Sequence, residues 1–176
     1  MSPRIGPGTR RDIGVLAWGL ARLAGRVTGT GPPAIFSTLG RTRGLFWGWL
    51  HFAGRLMPGG TLPRRESELV ILRVADRTGS DYEWRHHELL ARRAGLGDAE
   101  IARVRTGPDA PEWSDRDRLL LRVADELIAS DDLSDGTWAD VRREFDERTA
   151  IELLLLVGHY RMLATTLHVL RVPPDR

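Results

Sequence analysis

Cysteine is absent from the 176-residue sequence. Disulfide bonds, thiolate metal sites and thiol-based catalysis are therefore excluded. Lysine is absent too, so the 26 residues of the lysine and arginine class are all arginine. Arginines alternate with acids along most segments, as in residues 115–118, and the formal net charge is only +2. Because no segment is uniformly basic, the sequence indicates solvated helix faces and no nucleic-acid partner.

A convincing targeting or membrane-spanning segment is also missing. The apolar run from Ile13 to Val27 is interrupted by arginines, and no cleavage site follows it. The last apolar stretch, Ile151 to Leu170, has the length of a membrane span but includes four ionisable residues, namely Glu152, His159, Arg161 and His168. We therefore expect a buried core helix in a cytoplasmic protein that has no membrane partner.

The pattern of apolar residues predicts an all-α protein without strands or a heptad register. We expect Asp12 to cap the first long helix, Asp98 to cap a short one, and Ser114 and Ser134 to begin two later helices. The predicted helices cover about residues 12–27, 34–39, 45–57, 64–78, 81–94, 98–105, 115–129 and 134–145, and a last one that begins at about 147. A Gly- and Pro-bearing break separates the first two, at residues 28–33.

The segment from Leu45 to Met57 is unusually aromatic. Its large apolar side chains fall on more than one helix face, which predicts burial by a second subunit, by a ligand pocket or inside the monomer.

The predicted helix pair at residues 64–94 carries three ionisable side chains where packing favours apolar ones. Glu68 shares a stripe with Leu72 and Ala75, and Glu83 and His87 are four residues apart on the second helix. Such groups are costly to bury unless they satisfy one another or a ligand. We therefore interpret Glu68, Glu83 and His87 as a candidate site.

Structural alternatives exist for several of these residues. Ser80 and Glu83 have the spacing of a capping box, and Gly79 suits a left-handed helix C-cap. Glu152 and His159 lie seven residues apart on one helix face, and they either bring a second polar pair to the site or leave His159 as a satisfied core residue.

Metal binding is the other alternative. Glu83 and His86 match half of a di-iron motif, but the chain has no second Glu-x-x-His, and His86 is expected to be half-exposed. A single metal on Glu68, Glu83 and His87 remains open at this point, although we expect neither metal nor cofactor.

The arrangement of these residues resembles the carboxymuconolactone decarboxylase family, which includes alkylhydroperoxidase D-like proteins. The core of the resemblance consists of Leu62-Pro63-x-Arg65, Glu68, Leu72, Ala75, Thr78-Gly79, Tyr82-Glu83-Trp84, His87, Ala91, Ala94-Gly95-Leu96 and Ile101. Weaker similarity extends over Ile35 to Trp49 and over Thr137 to Val172, with Ile151-Glu152-Leu153 and Val157-Gly158-x-Tyr160-x-Met162-Leu163. The resemblance implies the family's helical bundle over residues 34–172, an N-terminal extension with one helix at residues 1–33, and a homo-oligomer, such as a dimer, trimer or hexamer.

The resemblance also assigns roles to the candidate site. In the alkylhydroperoxidase-like branch, a Glu precedes a Cys-x-x-Cys pair and a His; these four positions are Glu68, Ser80, Glu83 and His87 here. Both thiols are missing. Because a thiol peroxidase needs a thiolate nucleophile and a resolving thiol, we do not expect peroxidase activity.

Decarboxylase-type chemistry needs only proton transfer and stabilisation of an enolate. By resemblance, His87 is the general acid or base, Glu68 orients it, and Glu83 polarises substrate or relays protons. Ser80, Tyr82, Trp84 and His159 are the expected substrate-binding residues, with Arg73, Arg85 or Arg161 as the counter-charge for a substrate acid. The sequence thus predicts a cofactor-free lyase or isomerase for a small carboxylated or enolisable substrate. The alternative is a non-catalytic oligomeric small-molecule-binding protein; a helical nucleic-acid regulator lacks a basic recognition helix.

Overall fold

The computed structural model describes residues 2–28 and 31–175, and within these ranges it contains ten α-helices and no strand. The all-α fold class is therefore confirmed. Two residues of the expected break at 28–33, Gly29 and Thr30, lie outside the described residues. The division between an extension and a domain at residue 33 stays a prediction.

Residues up to Gly54 form one compact unit together with the C-terminal segment from Thr166. Its helices are α1 (Arg10–Ile13), α2 (Val15–Thr28), α3 (Ala34–Leu39) and most of α4 (Gly44–Leu56), with a 3₁₀ turn at Gly40–Thr42.

The expected cap at Asp12 is wrong. Thr9 precedes α1, and the Asp12 carboxylate accepts the Thr9 backbone N–H at 2.7 Å from inside that short helix. The long helix α2 begins only after Gly14, whose φ of +84° breaks the helical path.

The aromatic helix α4 divides its side chains between the interior of this unit and its surface. Phe46 is buried in a cluster with Ile13 and Ala17, and its ring meets that of Phe36 edge-on at 6.1 Å. Burial inside the monomer therefore holds for Phe46. Trp47 and Phe52 remain exposed, so cover by a second subunit stays a prediction for that face.

The second compact unit, Arg55 to Thr165, contains the candidate site. It comprises α5 (Arg64–Thr78), α6 (Asp81–Arg93), α7 (Asp98–Val104), α8 (Asp115–Ser130), α9 (Asp135–Glu144) and most of α10 (Glu147–Leu170). Helix α5 packs against α6, α7 and α8, and every residue from Ser67 to Ala75 is buried. This helix therefore forms the core of the unit, and polar residues within it are withdrawn from water.

Most of the predicted helix ends in this unit are confirmed. Ser114 and Ser134 accept backbone N–H groups as N-caps, and Gly79 adopts the left-handed conformation after α5, with φ of +64°. The expected cap at Asp98 is wrong by one residue: Gly97 is the N-cap, and the carboxylate of Glu100 accepts its N–H at 2.8 Å.

Glu152 fixes the chain where it enters α5. Its carboxylate accepts the Thr61 N–H at 2.7 Å, the Thr61 hydroxyl at 2.7 Å and the Leu62 N–H at 3.0 Å. A Cβ on Gly60 would lie 2.3 Å from Oε1 of Glu152, so only glycine fits there. Of the two alternatives for Glu152 and His159, the one in which Glu152 joins the site has no support, because its oxygens accept these loop donors.

Helix α10 has the length and apolar composition of a membrane span. The core helix of a soluble protein can have the same length and composition. Leu153, Leu156 and Leu163 are buried, as expected of a core helix, whereas Leu155 and Met162 are exposed.

Candidate functional site

The centre of the candidate site is a hydrogen bond between α5 and α6. Nδ1 of His87 lies 2.7 Å from Oε2 of Glu68, and the two residues are 5% and 0% exposed. Glu68 lies within the buried stretch Ser67 to Ala75 of α5, and His87 is a buried residue of α6, which packs against α5. The predicted association of these two residues is confirmed.

Arg64 is a member of the site that the sequence interpretation missed. Its Nη2 atom lies 2.6 Å from Oε1 of Glu68, one helical turn further along α5. The signal was present, since an acid and an arginine four residues apart on a helix are neighbours. Glu68 thus lies between a guanidinium on one oxygen and an imidazole on the other.

Glu83 is the second buried carboxyl group and is 3% exposed. Burial raises its pKa from 4.5 to about 8, and the nearby Ser80 hydroxyl opposes this only in part. The Ser80 hydroxyl is close enough to act electrostatically, but neither carboxyl oxygen of Glu83 makes a hydrogen bond of acceptable geometry within the described chain. Glu83 is therefore a neutral carboxylic acid at pH 7, a form that can donate a proton.

The capping box is not formed. Ser80 is the N-cap residue of α6 by position, but its side chain accepts no backbone N–H. Glu83 does not reach back to Ser80 because its side chain is buried in the helix packing.

Helix α10 adds aromatic groups to the site. The Tyr160 ring meets the His87 ring edge-on, with centroids 5.0 Å apart, and the Tyr160 hydroxyl donates to Sδ of Met57 at 3.9 Å. Burial, followed by the charges of Glu68 and Glu83, raises the pKa of Tyr160 well above its ordinary value. The sequence interpretation quoted Tyr160 in a motif but gave it no role.

His159 is buried beside Tyr160, and it is neutral at pH 7. Burial and, to a smaller extent, the charge of His87 lower its pKa from 6.5 to about 4. The rings of His159 and Tyr160 meet edge-on at 5.2 Å. His159 is thus close enough to interact electrostatically with His87. Its role in substrate binding stays a prediction.

The other three expected substrate-binding residues, Ser80, Tyr82 and Trp84, lie on or at the start of α6. Trp84 is buried under the Arg105 guanidinium, which lies 3.8 Å from the ring centroid, and it lines a groove between α6 and α7. Tyr82 is buried on the same helix, and Ser80 is at its first turn. Binding roles for these three residues are untested.

Two of the three arginines expected as counter-charges form hydrogen bonds that stabilise the fold. Arg73 donates to both oxygens of Asp125, at 2.6 and 2.8 Å, and to the Val104 carbonyl. Arg161 donates to Asp131 and to the Leu127 carbonyl. Arg85 remains exposed on α6. Arg64, which is ion-paired with Glu68, is therefore the arginine that the structure brings to the site.

Metal ligation by the candidate residues has no geometric support. Across residues 2–28 and 31–175, no three His, Asp or Glu side chains have the mutual spacing of a metal site. His86 is half-buried, as expected, and burial lowers its pKa to about 4. The set of Glu68, Glu83 and His87 is suited instead to holding and moving protons.

A family model matches residues 43–126, and its description is the carboxymuconolactone decarboxylase family. The matched segment contains Arg64, Glu68, Glu83 and His87. No curated protein matches the chain by sequence.

Solved structures share the fold at low sequence identity. The chain is similar to an alkylhydroperoxidase AhpD core protein, described as peroxidase-related, from Ralstonia eutropha (TM-score 0.85, 15% identity, 98% of this chain and 92% of that one). It is also similar to a peroxidase-related protein from Silicibacter sp. (TM-score 0.84, 14% identity, 99% and 94%). A third similar structure is a variant of the debrominase Bmp8 in complex with 2,3,4-tribromopyrrole (TM-score 0.79, 14% identity, 98% and 92%). At these identities the likeness establishes the fold alone.

Proposed function

We propose that this cysteine-free chain, whose residues 43–126 match the carboxymuconolactone decarboxylase family model, is a cofactor-free lyase or isomerase acting on a small carboxylated or enolisable substrate. The observation that carries the proposal is a buried neutral carboxylic acid, Glu83, one helical turn from a buried imidazole paired with a carboxylate. An acid and a base in different protonation states are what proton transfer at carbon requires.

His87 acts as the base in this proposal. Its Nδ1–H donates to the Glu68 carboxylate, which fixes the ring and the tautomer and leaves Nε2 to exchange a proton with the substrate. The Arg64 guanidinium lies 2.6 Å from the other carboxylate oxygen of Glu68. The carboxylate in turn stabilises the imidazolium that forms when His87 accepts a proton.

Glu83 acts as the acid. Removing carbon dioxide or an α-proton leaves an enolate, whose oxygen or carbon must receive a hydrogen bond or a proton. A carboxyl group with a pKa of about 8 carries its proton at neutral pH and is surrounded by few competing hydrogen bonds. It can therefore donate to the enolate.

A thiol-dependent reaction has no support in this chain. The similar structures include peroxidase-related proteins. This chain has no cysteine, and the family resemblance implies that Ser80 and Glu83 occupy the two cysteine positions of the peroxidase branch. Neither a hydroxyl nor a carboxyl group can form the disulfide that such a cycle uses.

Hydrogen–deuterium exchange provides the test. A panel of β-keto acids and enolisable keto acids is incubated with the protein in D₂O, and NMR follows loss of the α-proton signal and release of carbon dioxide. We expect His87→Gln and Glu83→Gln to reduce the rate by about 10²- to 10⁴-fold, the contribution of a positioned acid or base. Glu88→Gln, on the same helix, should leave the rate unchanged, because Glu88 pairs with Arg92 away from the site.

The alternative function predicts a different result. A non-catalytic binding protein would be stabilised by members of the panel without exchanging their protons, and the site variants would change affinity only. That outcome would replace the lyase or isomerase proposal with a small-molecule-binding protein of the same fold.

A further inference from the structure

We propose that Arg64 binds the carboxylate of the substrate, so that the site takes small organic acids in preference to neutral carbonyl compounds. The inference rests on the proposed function, because it names the substrate class of the same site. It assigns to Arg64 a binding role beyond neutralising Glu68.

Arg64 lies at the boundary between the buried acid and solvent. Its side chain is 35% exposed, whereas that of its partner Glu68 is 0% exposed. A ligand that approaches the Glu68–His87 pair from the solvent side of this ion pair meets a guanidinium first. A positive charge in that position attracts anions to the site.

The guanidinium uses little of its hydrogen-bonding capacity on Glu68. The contact runs through Nη2 alone, and Oε1 of Glu68 receives no hydrogen bond of acceptable geometry despite the 2.6 Å separation. Within the described chain, no other acid or carbonyl is hydrogen-bonded to or ion-paired with Arg64. A guanidinium has five N–H donors in one plane, and two neighbouring donors match the two oxygens of a carboxylate. Arg64 therefore keeps a pair of N–H donors for a second acid.

Of the two buried carboxyl groups of the site, Glu68 is the one that is paired with Arg64. Glu83, the other buried carboxyl group, is neutral at pH 7 and does not repel an incoming carboxylate. Arg64 would then bridge the carboxylate of Glu68 and that of the ligand.

Two other arginines of α5 are occupied by acids of neighbouring helices. Arg65 donates to Asp117 and Glu100, and Arg73 donates to Asp125. These pairs hold helices together, so a ligand could recruit either arginine only by breaking them. Of these three arginines, Arg64 is therefore the one that can supply the counter-charge for a substrate acid.

The test compares levulinate, a stable enolisable keto acid, with its methyl ester, which has nearly the same shape and no charge. Isothermal titration calorimetry measures both affinities at low salt for the parent, Arg64→Gln, Arg64→Lys and Arg93→Gln. We expect the parent to bind the acid at least tenfold more tightly than the ester. Arg64→Gln should abolish this preference, and Arg64→Lys should keep only part of it, because an ammonium cannot pair bidentately.

Arg93→Gln is the matched control, since it removes an exposed arginine from α6, the helix that carries His87. It should keep the preference for the acid. Circular dichroism establishes that each variant is folded, and Arg64→Lys retains the positive charge beside Glu68 if Arg64→Gln unfolds. The proposal is overturned if the parent binds both compounds equally or binds neither. It is also overturned if Arg64→Gln keeps the full preference for the acid. Should Arg64→Gln unfold, a full preference in Arg64→Lys has the same meaning.

Proton exchange separates this proposal from the proposed function. If the ester exchanges its α-protons as fast as the acid and Arg64→Gln is unaffected, Arg64 has no binding role while proton transfer stands. If neither compound exchanges but acid binding depends on Arg64, the carboxylate site stands and the lyase or isomerase function fails.

Discussion

The imidazole of His87 and the carboxylate of Glu68 share a 2.7 Å hydrogen bond that joins α6 to α5 inside the protein. The second oxygen of the same carboxylate faces Arg64 at 2.6 Å. One buried acid therefore neutralises or orients two basic groups, and removing it affects both.

The first prediction concerns the stability of this pair. Glu68→Gln should lower the free energy of unfolding by roughly 2 kcal/mol or more, because Arg64 and His87 then lose their buried acid. His87→Gln should cost less, since Glu68 keeps Arg64. Urea unfolding of the parent, both variants and the double variant gives a coupling energy, which we expect to be about 1 kcal/mol or more. Strict additivity would mean that the hydrogen bond contributes nothing.

The second prediction concerns Glu83 and alkaline pH. Its pKa is about 8 in the folded protein and about 4.5 in the unfolded chain, so the folded state holds a proton that the unfolded state releases. The free energy of unfolding therefore contains a contribution that is complete below pH 4.5 and is lost as the pH rises to about 8. The change is on the order of 5 kcal/mol.

Glu83→Gln removes this titration. We expect the variant to gain stability relative to the parent between pH 5 and pH 8.5 in chemical unfolding experiments. A stability difference that does not vary with pH would show that Glu83 is ionised in the folded protein at neutral pH.

The third prediction concerns His159 and acid pH. Burial lowers its pKa from 6.5 to about 4, so the unfolded chain binds a proton in that window and the folded protein does not. The free energy of unfolding falls by roughly 3 kcal/mol from this group as the pH drops from 6.5 to 4. His159→Gln should flatten that part of the profile. His168→Gln, an exposed histidine on the same helix, should leave it unchanged.

The fourth prediction concerns Arg73. It donates to both oxygens of Asp125 and to the Val104 carbonyl while 5% exposed. Lysine cannot reproduce this planar arrangement, so Arg73→Lys should lower the free energy of unfolding by about 2–4 kcal/mol. Arg77 pairs with the same Asp125 but is 43% exposed. Arg77→Lys should cost less than about 1 kcal/mol, and equal losses at the two positions would contradict this interpretation.

The sequence predicted helix bounds and the burial of ionisable residues where local rules and packing agree, while the site itself stays a prediction. Helix α5 was predicted with its observed bounds, because Gly79 has no side chain to resist the left-handed conformation at its end. Glu68, Glu83 and His87 were recognisable because ionisable groups occupied apolar helix faces. Such a pattern indicates burial without knowledge of the fold.

The residues that the sequence missed depend on long-range packing. Tyr160 lies 73 positions after His87 and reaches it only through the docking of α10. The capping box failed for a similar reason, because burial of Glu83 in the helix packing overrode the local hydrogen bond that its spacing favours. Local spacing could not reveal either outcome.

The contact between Glu152 and Thr61 has a consequence for the order in which the chain is made. Thr61 leaves the ribosome 91 residues before the acid that accepts its N–H and hydroxyl protons. Until that late segment emerges, the entry to α5 lacks its acceptor, although α5 itself can already pair with α6. The apolar side chains of α5 must therefore be covered by other segments while α10 is still being translated.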